Sequence, residues 1–418
     1  MTKSMVFKSN FRILIATFLP HLAVCLVMGA VGPLAPFLQE AMGISRAQIG
    51  LLTAVHSFGW VVLALVAGGI VERSGIRPWL LLCPALSGLF TMFFLGVSSY
   101  FQAVLLFLIL GFVFSFVNPA TTKAIILGFP RVGRGTFVAI KQTGAPTGIF
   151  LASVTLPPIA VSIGWKWGMV FIAAVNIGIG ICCWFLYFEK SNGEVIVEKG
   201  QNGRNSFTED LSKLLRNTNF MLISFLQGAI QISQFVINAY LILYLVESLG
   251  YSMVYAGFVM ALTQVSGIVG RIFCGLMSDF MFGGERVPIL KLAGFITVAG
   301  LFGMTFISNN TPVWIVCVVT SMVGAASIGF TGTSILLRAE LTGKNLAATS
   351  TGMGMAIGAW GVILGPPAFG YIVDVTHSYV FAWQLLSVVT LASIVLLWFI
   401  REQNSESEIA EETVATEN

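Results

Sequence analysis

Charge is what this chain has least of. Lys, Arg, Asp and Glu make up 10% of its 418 residues, while 56% are hydrophobic. Mean hydropathy is +0.90. Soluble domains carry about a quarter charged residues, so a soluble protein of this length is excluded. No Asp or Glu falls in the middle of any long apolar run. Only three histidines are present, and His21 and His56 are the two inside such runs. They are the only groups there that ordinarily titrate near neutral pH, which makes them the candidates for proton coupling. The plainer reading gives each one structural hydrogen bond. The six cysteines (Cys25, Cys83, Cys182, Cys183, Cys274 and Cys317) all lie in apolar runs without metal-ligand spacing. They read as small packing groups. A net charge of +4 gives no reason to expect a nucleic-acid partner. Phosphate loops, nucleotide-binding domains, zinc spacings and serine triads are all missing, so nothing points to an enzyme, a cofactor or a metal.

What the chain has is apolar length. Twelve runs are long enough to cross a bilayer: 12–38, 47–71, 78–98, 101–127, 136–160, 165–188, 219–246, 253–279, 288–308, 312–337, 346–373 and 380–400. The first is too long for a signal-peptide core and lacks a clear cleavage site. The polar segment 189–218 divides the runs six and six and reads as a flexible cytoplasmic linker. The expected domains are therefore 1–188, a first six-helix bundle, and 219–401, a second. The tail 402–418 holds six glutamates and no basic residue and reads as a disordered cytoplasmic segment. With both termini cytoplasmic, seventeen Lys and Arg fall in cytoplasmic segments, Arg286 and Arg338 among them. Two, Arg46 and Lys166, fall in outer loops, and three, Lys123, Lys141 and Arg271, in spans. Basic residues stay on the cytoplasmic side, which sets the expected orientation.

The two halves echo each other. Residues 257–279, GFVMALTQVSGIVGRIFCGLMSD, match residues 50–72, GLLTAVHSFGWVVLALVAGGIVE, at a shift of 207. Gly50 pairs with Gly257, Gly68 with Gly275 and Glu72 with Asp279. Arg271 in one copy is Ala64 in the other. Glycine and proline cluster at Gly144-Ala145-Pro146-Thr147-Gly148 and again between Gly352 and Gly370. Such residues allow close helix approach and bending.

These residues resemble the major facilitator superfamily of secondary transporters. Gly68-x3-Glu72-Arg73-Ser74-Gly75-Ile76-Arg77 looks like the signature between helices 2 and 3. Gly275-x3-Asp279 with Gly283-Gly284-Glu285-Arg286 looks like its second copy. Pro146 and Gly148 are similar to the glycine–proline motif of helix 5. Asn118-Pro119-Ala120-Thr121-Thr122-Lys123 and Ile140-Lys141-Gln142-Thr143-Gly144 resemble a bacterial organic-anion-type branch. The resemblance implies an all-α membrane protein of twelve transmembrane helices in two six-helix bundles, with a site near the midplane. It also implies a location in the bacterial inner membrane. By the same resemblance, Glu72, Arg73, Arg77, Asp279 and Arg286 latch the bundles at the cytoplasmic gate. Members often carry an arginine in helix 4 linked to proton coupling. The corresponding stretch here, Phe107-Leu108-Ile109-Leu110-Gly111, has none.

Candidate substrate-binding residues follow from polar groups at membrane depth. Arg271 sits eight residues before Asp279, about 12 Å in, and Lys141 seven past Arg134, about 10 Å in. Buried cations without carboxylates suggest an anionic ligand. The alternatives are bonds to helix carbonyls for Arg271 and snorkelling for Lys141. Gln264 shares the face of Arg271, and Gln142 neighbours Lys141. Gln227, Gln231, Gln234 and Asn238 recur at spacings of 4, 3 and 4, a single helix stripe. Asn118 belongs to a weaker stripe, and Lys123 reads as an interfacial anchor. The reading is a monomeric secondary transporter of a small organic anion, a carboxylate, working by alternating access in the lipid bilayer. A proton or counter-substrate is the coupling partner. An exporter of amphipathic drugs and a non-transporting membrane sensor are the alternatives.

Overall fold

In a computed structural model, the structure describes residues 3–129, 134–187, 207–282, 285–342 and 347–400. Twelve helical spans are long and apolar enough to cross a membrane. The first combines α1 (Lys3–Met28) and α2 (Val31–Met42). The next two are α3 (Arg46–Ser74) and α4 (Arg77–Met92), and the fourth joins α5 (Tyr100–Phe114) to α6 (Val117–Gly128). The fifth joins α7 (Arg134–Gln142) to α8 (Gly144–Ile163), and α9 (Trp165–Leu186) completes the first bundle. A short helix, α10 (Phe207–Arg216), follows. The second bundle holds α11 (Thr218–Leu249), α12 (Met253–Phe280), α13 (Val287–Met304), α14 (Val313–Thr342), α15 (Ala347–Thr376) and α16 (Tyr379–Val395).

Three spans of the first bundle are interrupted, and proline accounts for each interruption. A helix carbonyl bonds the N–H four residues on, which proline lacks. Pro33, Pro119 and Pro146 thereby leave Gly29, Ser115 and Gln142 without that donor, and the helices break at or beside these residues. Pro366 and Pro367 lie inside an unbroken α15, so a proline alone does not force a break. Helix starts carry ordinary caps. Ser45 with Gln48 and Ser99 with Gln102 form capping boxes at α3 and α5. Left-handed glycines, Gly43 at φ 64° and Gly250 at φ 67°, close α2 and α11.

The segment 189–218 departs from the expected flexible linker, because α10 occupies its last part with a strongly amphipathic pattern. Its earlier part, the acidic tail, Gly283-Gly284 and Lys344 lie outside the described residues.

The two halves meet at one face and part at the other. A methyl built on Gly50 of α3 would sit 2.4 Å from the Pro366 carbonyl carbon of α15. The repeat partner, Gly257 of α12, meets the other half in the same way. A methyl there would sit 2.3 Å from the Ser153 carbonyl oxygen of α8. Eighteen residues make five full turns, so Gly68 shares a face with Gly50, about 27 Å along, and Gly275 shares one with Gly257. At Gly68 and Gly275 nothing stands within 4 Å of such a methyl. The same helix faces are thus clamped across the halves at one end and free at the other. The molecule is a wedge, closed at the face bearing Arg46 and open at the face bearing Glu72 and Asp279.

Candidate functional site

Arg271 stands where the halves meet at mid-depth. Its side chain crosses Gly332 of α14, where a methyl would come within 3.2 Å of Arg271 Cγ. Its Nη1 donates to the carbonyl oxygen of Gln142 in the other half at 3.3 Å. That carbonyl is the one Pro146 leaves open. The Nε of Arg271 is buried without a partner, yet the residue as a whole is partly exposed.

Lys141 is fully buried, with its ammonium donating to the hydroxyls of Thr121 at 2.9 Å and Thr122 at 2.7 Å. It does not snorkel. His21 of α1 is buried in the same half as Lys141. Its Nε2 is 3.1 Å from Asn118 Oδ1, and its Nδ1 is 3.4 Å from the Thr17 carbonyl. Among the described residues no carboxylate comes within ion-pair distance of Lys141 or Arg271.

The polar stripe of α11 divides in two. Gln231, Gln234 and Asn238 are partly exposed, as are Asn118 and Gln142. Gln234 Oε1 accepts from Thr331 at 3.4 Å. Asn238 Oδ1 accepts from Gln264 Nε2 at 3.0 Å. The remaining amide atoms Gln231 Oε1, Asn238 Nδ2 and Gln264 Oε1 are buried and unpartnered. Asn238 also lines a small void between the halves with Gly29, Thr53 and Ile149. Gln227 differs. It is fully buried, bonded to Ser334 and to the guanidinium of Arg338 of α14. Cavity lining, expected for the whole stripe, therefore does not extend to Gln227.

Arg338 itself corrects the sequence reading. Counted among loop cations, it lies inside α14 at 0% exposure, with Nε and Nη2 unpartnered. Its guanidinium lies against Gly354 of α15, where a methyl would fall 2.5 Å from Nε. The signal available was Gly354 in the glycine-rich span, but nothing in the sequence ties it to position 338.

His56 is buried between α3 and α5, edge-on to Phe114 at 5.6 Å, with Nδ1 unpartnered. The structure gives it no bond to His21, Lys141 or Arg271. Lys123 reaches the carbonyls of Val71 at 3.4 Å and Glu72 at 3.3 Å, capping the last turn of α3.

At the open face Arg286 and Arg77 each have partners in their own half. Arg286 pairs with Asp279 at 2.6 Å and Glu340 at 3.1 Å. Burial works against its charge, and the two carboxylates more than offset this, raising its pKa. Arg77 donates to the Trp184 carbonyl and lies 4.0 Å above the Trp184 ring.

At the closed face Arg46 is the centre of a lock absent from the sequence reading. Its guanidinium meets Glu247 at 2.8 Å and Asp374 at 3.3 Å, both in the second half. The Asp374 carboxylate also accepts from the backbone N–H groups of Arg46 at 3.1 Å and Ala47 at 2.9 Å. It thereby caps the N-terminus of α3 from the opposite half. Tyr379 donates to Glu247 at 2.7 Å, and Tyr240 donates to the Arg46 and Pro366 carbonyls.

Two repeated six-span bundles, clamped at one face, form a known architecture, and the sequence matches it directly. The profile of the Major Facilitator Superfamily covers residues 17–366. The chain belongs to that superfamily. Relatives span nearly its whole length. The Hexuronate transporter of Bacillus subtilis (strain 168) is 20% identical, covering 94% of this chain and 95% of its own. The Probable sulfoacetate transporter SauU of Cupriavidus necator is 23% identical, with 86% and 87% covered. The Membrane sensor protein UhpC of Escherichia coli (strain K12) is 25% identical, with 86% and 85% covered. Among solved structures, a bacterial homologue of the human lysosomal transporter Spinster, inward-facing and unoccupied, superposes with a TM-score of 0.71 at 15% identity. That match covers 96% of both chains. This superfamily chain is thus a twelve-span, all-α membrane protein of two bundles.

Proposed function

We propose that this protein is a secondary transporter of a small organic anion, a carboxylate or sulfonate, by alternating access between its two halves. The observation that carries the reading is Arg271. It lies between the halves, partly open to the wedge, with a buried unpartnered Nε and a single backbone carbonyl as its bonded partner. A guanidinium at membrane depth is costly unless something neutralises it, and no carboxylate of the described chain does. A ligand carboxylate fits the guanidinium fork through two parallel bonds. Lys141 adds positive potential from behind Thr121 and Thr122. Gln231, Gln234, Asn238 and Gln142 offer neutral donors and acceptors to the rest of the ligand. The printed names of the hexuronate and sulfoacetate relatives concern anions of this kind.

The basic loops support an orientation in which the open face is cytoplasmic. The structure is then the inward-open state. Glu72, Arg73, Arg77, Asp279 and Arg286 would form bonds across the halves when that face closes.

The test is affinity for matched ligands, galactonate against neutral galactitol and sulfoacetate, on purified protein. Wild type should bind an anion and ignore galactitol. Arg271→Gln should lose binding by a hundredfold or more, and Arg271→Lys should lose much of it. Lys141→Gln should lose less than Arg271→Gln. Neutral-ligand binding that survives Arg271→Gln would overturn the anion reading and favour a drug exporter. Anion binding without uptake into liposomes would instead make the chain a sensor, as its UhpC relative is named.

A further inference from the structure

The contact between Arg271 and Gln142 has a cause in the sequence. In a regular helix the Gln142 carbonyl would accept the N–H of residue 146. Residue 146 is proline, which has none. The helix breaks here. Thr143 N–H turns back to Ile140 at 3.1 Å, and the ladder resumes with Thr147 bonded to Thr143 at 3.1 Å. The Gln142 carbonyl is left at the C-terminal end of α7, where helix carbonyls gather partial negative charge. Arg271 of the opposite half fills that vacancy at 3.3 Å.

We propose that Pro146 is a positioning residue for Arg271. By withholding an N–H it keeps the Gln142 carbonyl free, and that carbonyl tethers the guanidinium, and with it α12, to the first half while no ligand is bound. An anion that takes the guanidinium with both prongs displaces the carbonyl and releases the tether. The same act that captures the ligand thus removes a bond between the halves at mid-depth. This rests on the anion reading for its second step but not for its first.

Neighbouring geometry fits the role. Gly332 removes the side chain that would push Arg271 off the line to Gln142, since a methyl there approaches Arg271 Cγ to 3.2 Å. Gly144, beside the break, packs so tightly on α1 that a methyl would lie 2.7 Å from the Phe18 carbonyl oxygen. The broken segment therefore cannot swing freely to find another donor.

The experiment is a double-substitution cycle on ligand-free protein, read as thermal unfolding in detergent. The variants are Pro146→Ala, Arg271→Gln and both together. Pro146→Ala supplies the N–H that Gln142 lacks. In wild type, Arg271→Gln should lower the midpoint by several degrees, because it leaves that carbonyl bare. In the Pro146→Ala background the same change should lower it by less than half as much. Equal effects in both backgrounds would overturn the proposal. If Pro146→Ala does not fold, Pro146→Gly restores the same N–H with a looser backbone and serves in the cycle under the same criterion.

A second measurement addresses the ligand step. Pro146→Ala should bind sulfoacetate or galactonate about three- to tenfold more tightly than wild type, whichever of the two wild type binds, because no tether competes. Unchanged or weaker binding with a non-additive cycle would keep the tether and remove its competition with ligand. No anion binding in any variant, with a non-additive cycle, would leave the tether standing and defeat the anion reading.

Discussion

A guanidinium inside a helix bundle needs acceptors, and Gln227 supplies one to Arg338. Removing a hydrogen bond to a buried charge costs about 2 kcal/mol. Gln227→Leu should therefore lower the thermal midpoint of the purified protein while leaving anion affinity within about twofold, since Gln227 is fully buried. A large loss of affinity with unchanged stability would place Gln227 in the binding site after all. The contrast between Arg338 and Arg271 shows what residue-scale reading could and could not reach. Arg271 was legible because it lies eight residues inside a charge that marks the helix end. Arg338 lies in the last turns of α14, where an apolar run fades into a polar loop. There, a shift of one residue in the boundary decides whether a cation counts as buried. The tie between Gln142 and Arg271 was beyond reach for another reason. It involves a backbone carbonyl, and a scan for chemistry-bearing side chains does not look at carbonyls.

Helices carry the next layer of information. Gly50 and Gly257 are equivalent in the repeat, and each brings its helix against the other half. Bulk at either place should prevent closure of the Arg46 face. Gly257→Val, in protein with its native cysteines removed, should expose a cysteine placed at Ala47 to a polar maleimide. The same cysteine should react slowly without the Gly257 change. Equal labelling in both would show that this helix pair does not set closure. Spans and repeat were readable because bilayer crossing demands about twenty apolar residues and duplication preserves their spacing. The breaks within spans 1, 4 and 5 were not, although Pro33, Pro119 and Pro146 were in plain view. Pro366 and Pro367 stand in an equally apolar run that stays whole. Whether a proline bends or breaks its helix is settled by the packing around it.

Across the whole molecule, the state of the wedge follows from which end holds more bonds between the halves. The Arg46 face has a carboxylate cap, paired charges and the Tyr240 bond to the Arg46 carbonyl. At the opposite face Arg286 and Arg77 have partners in their own half. Asp374→Asn weakens the acceptor of two backbone N–H groups, and Glu247→Gln removes the charge facing Arg46. Together they should shift the population away from the state described here. Spin labels on the Glu72 face should then report shorter distances between the halves, and a cysteine at Ala47 should gain reactivity. Unchanged distances would mean that glycine packing alone holds the Arg46 face shut.

The Asp374 cap is made to main-chain amides, and at position 46 only proline could delete one of them. Arg46→Ala would remove the guanidinium bonds but leave both amides of the α3 N-terminus facing the same carboxylate. This part of the closure does not draw on the Arg46 side chain, unlike the ion pairs to Glu247 and Asp374. On the proposed reading, ligand selection and closure are separable, because the cap joins α3 to α15 while Arg271 stands on α12.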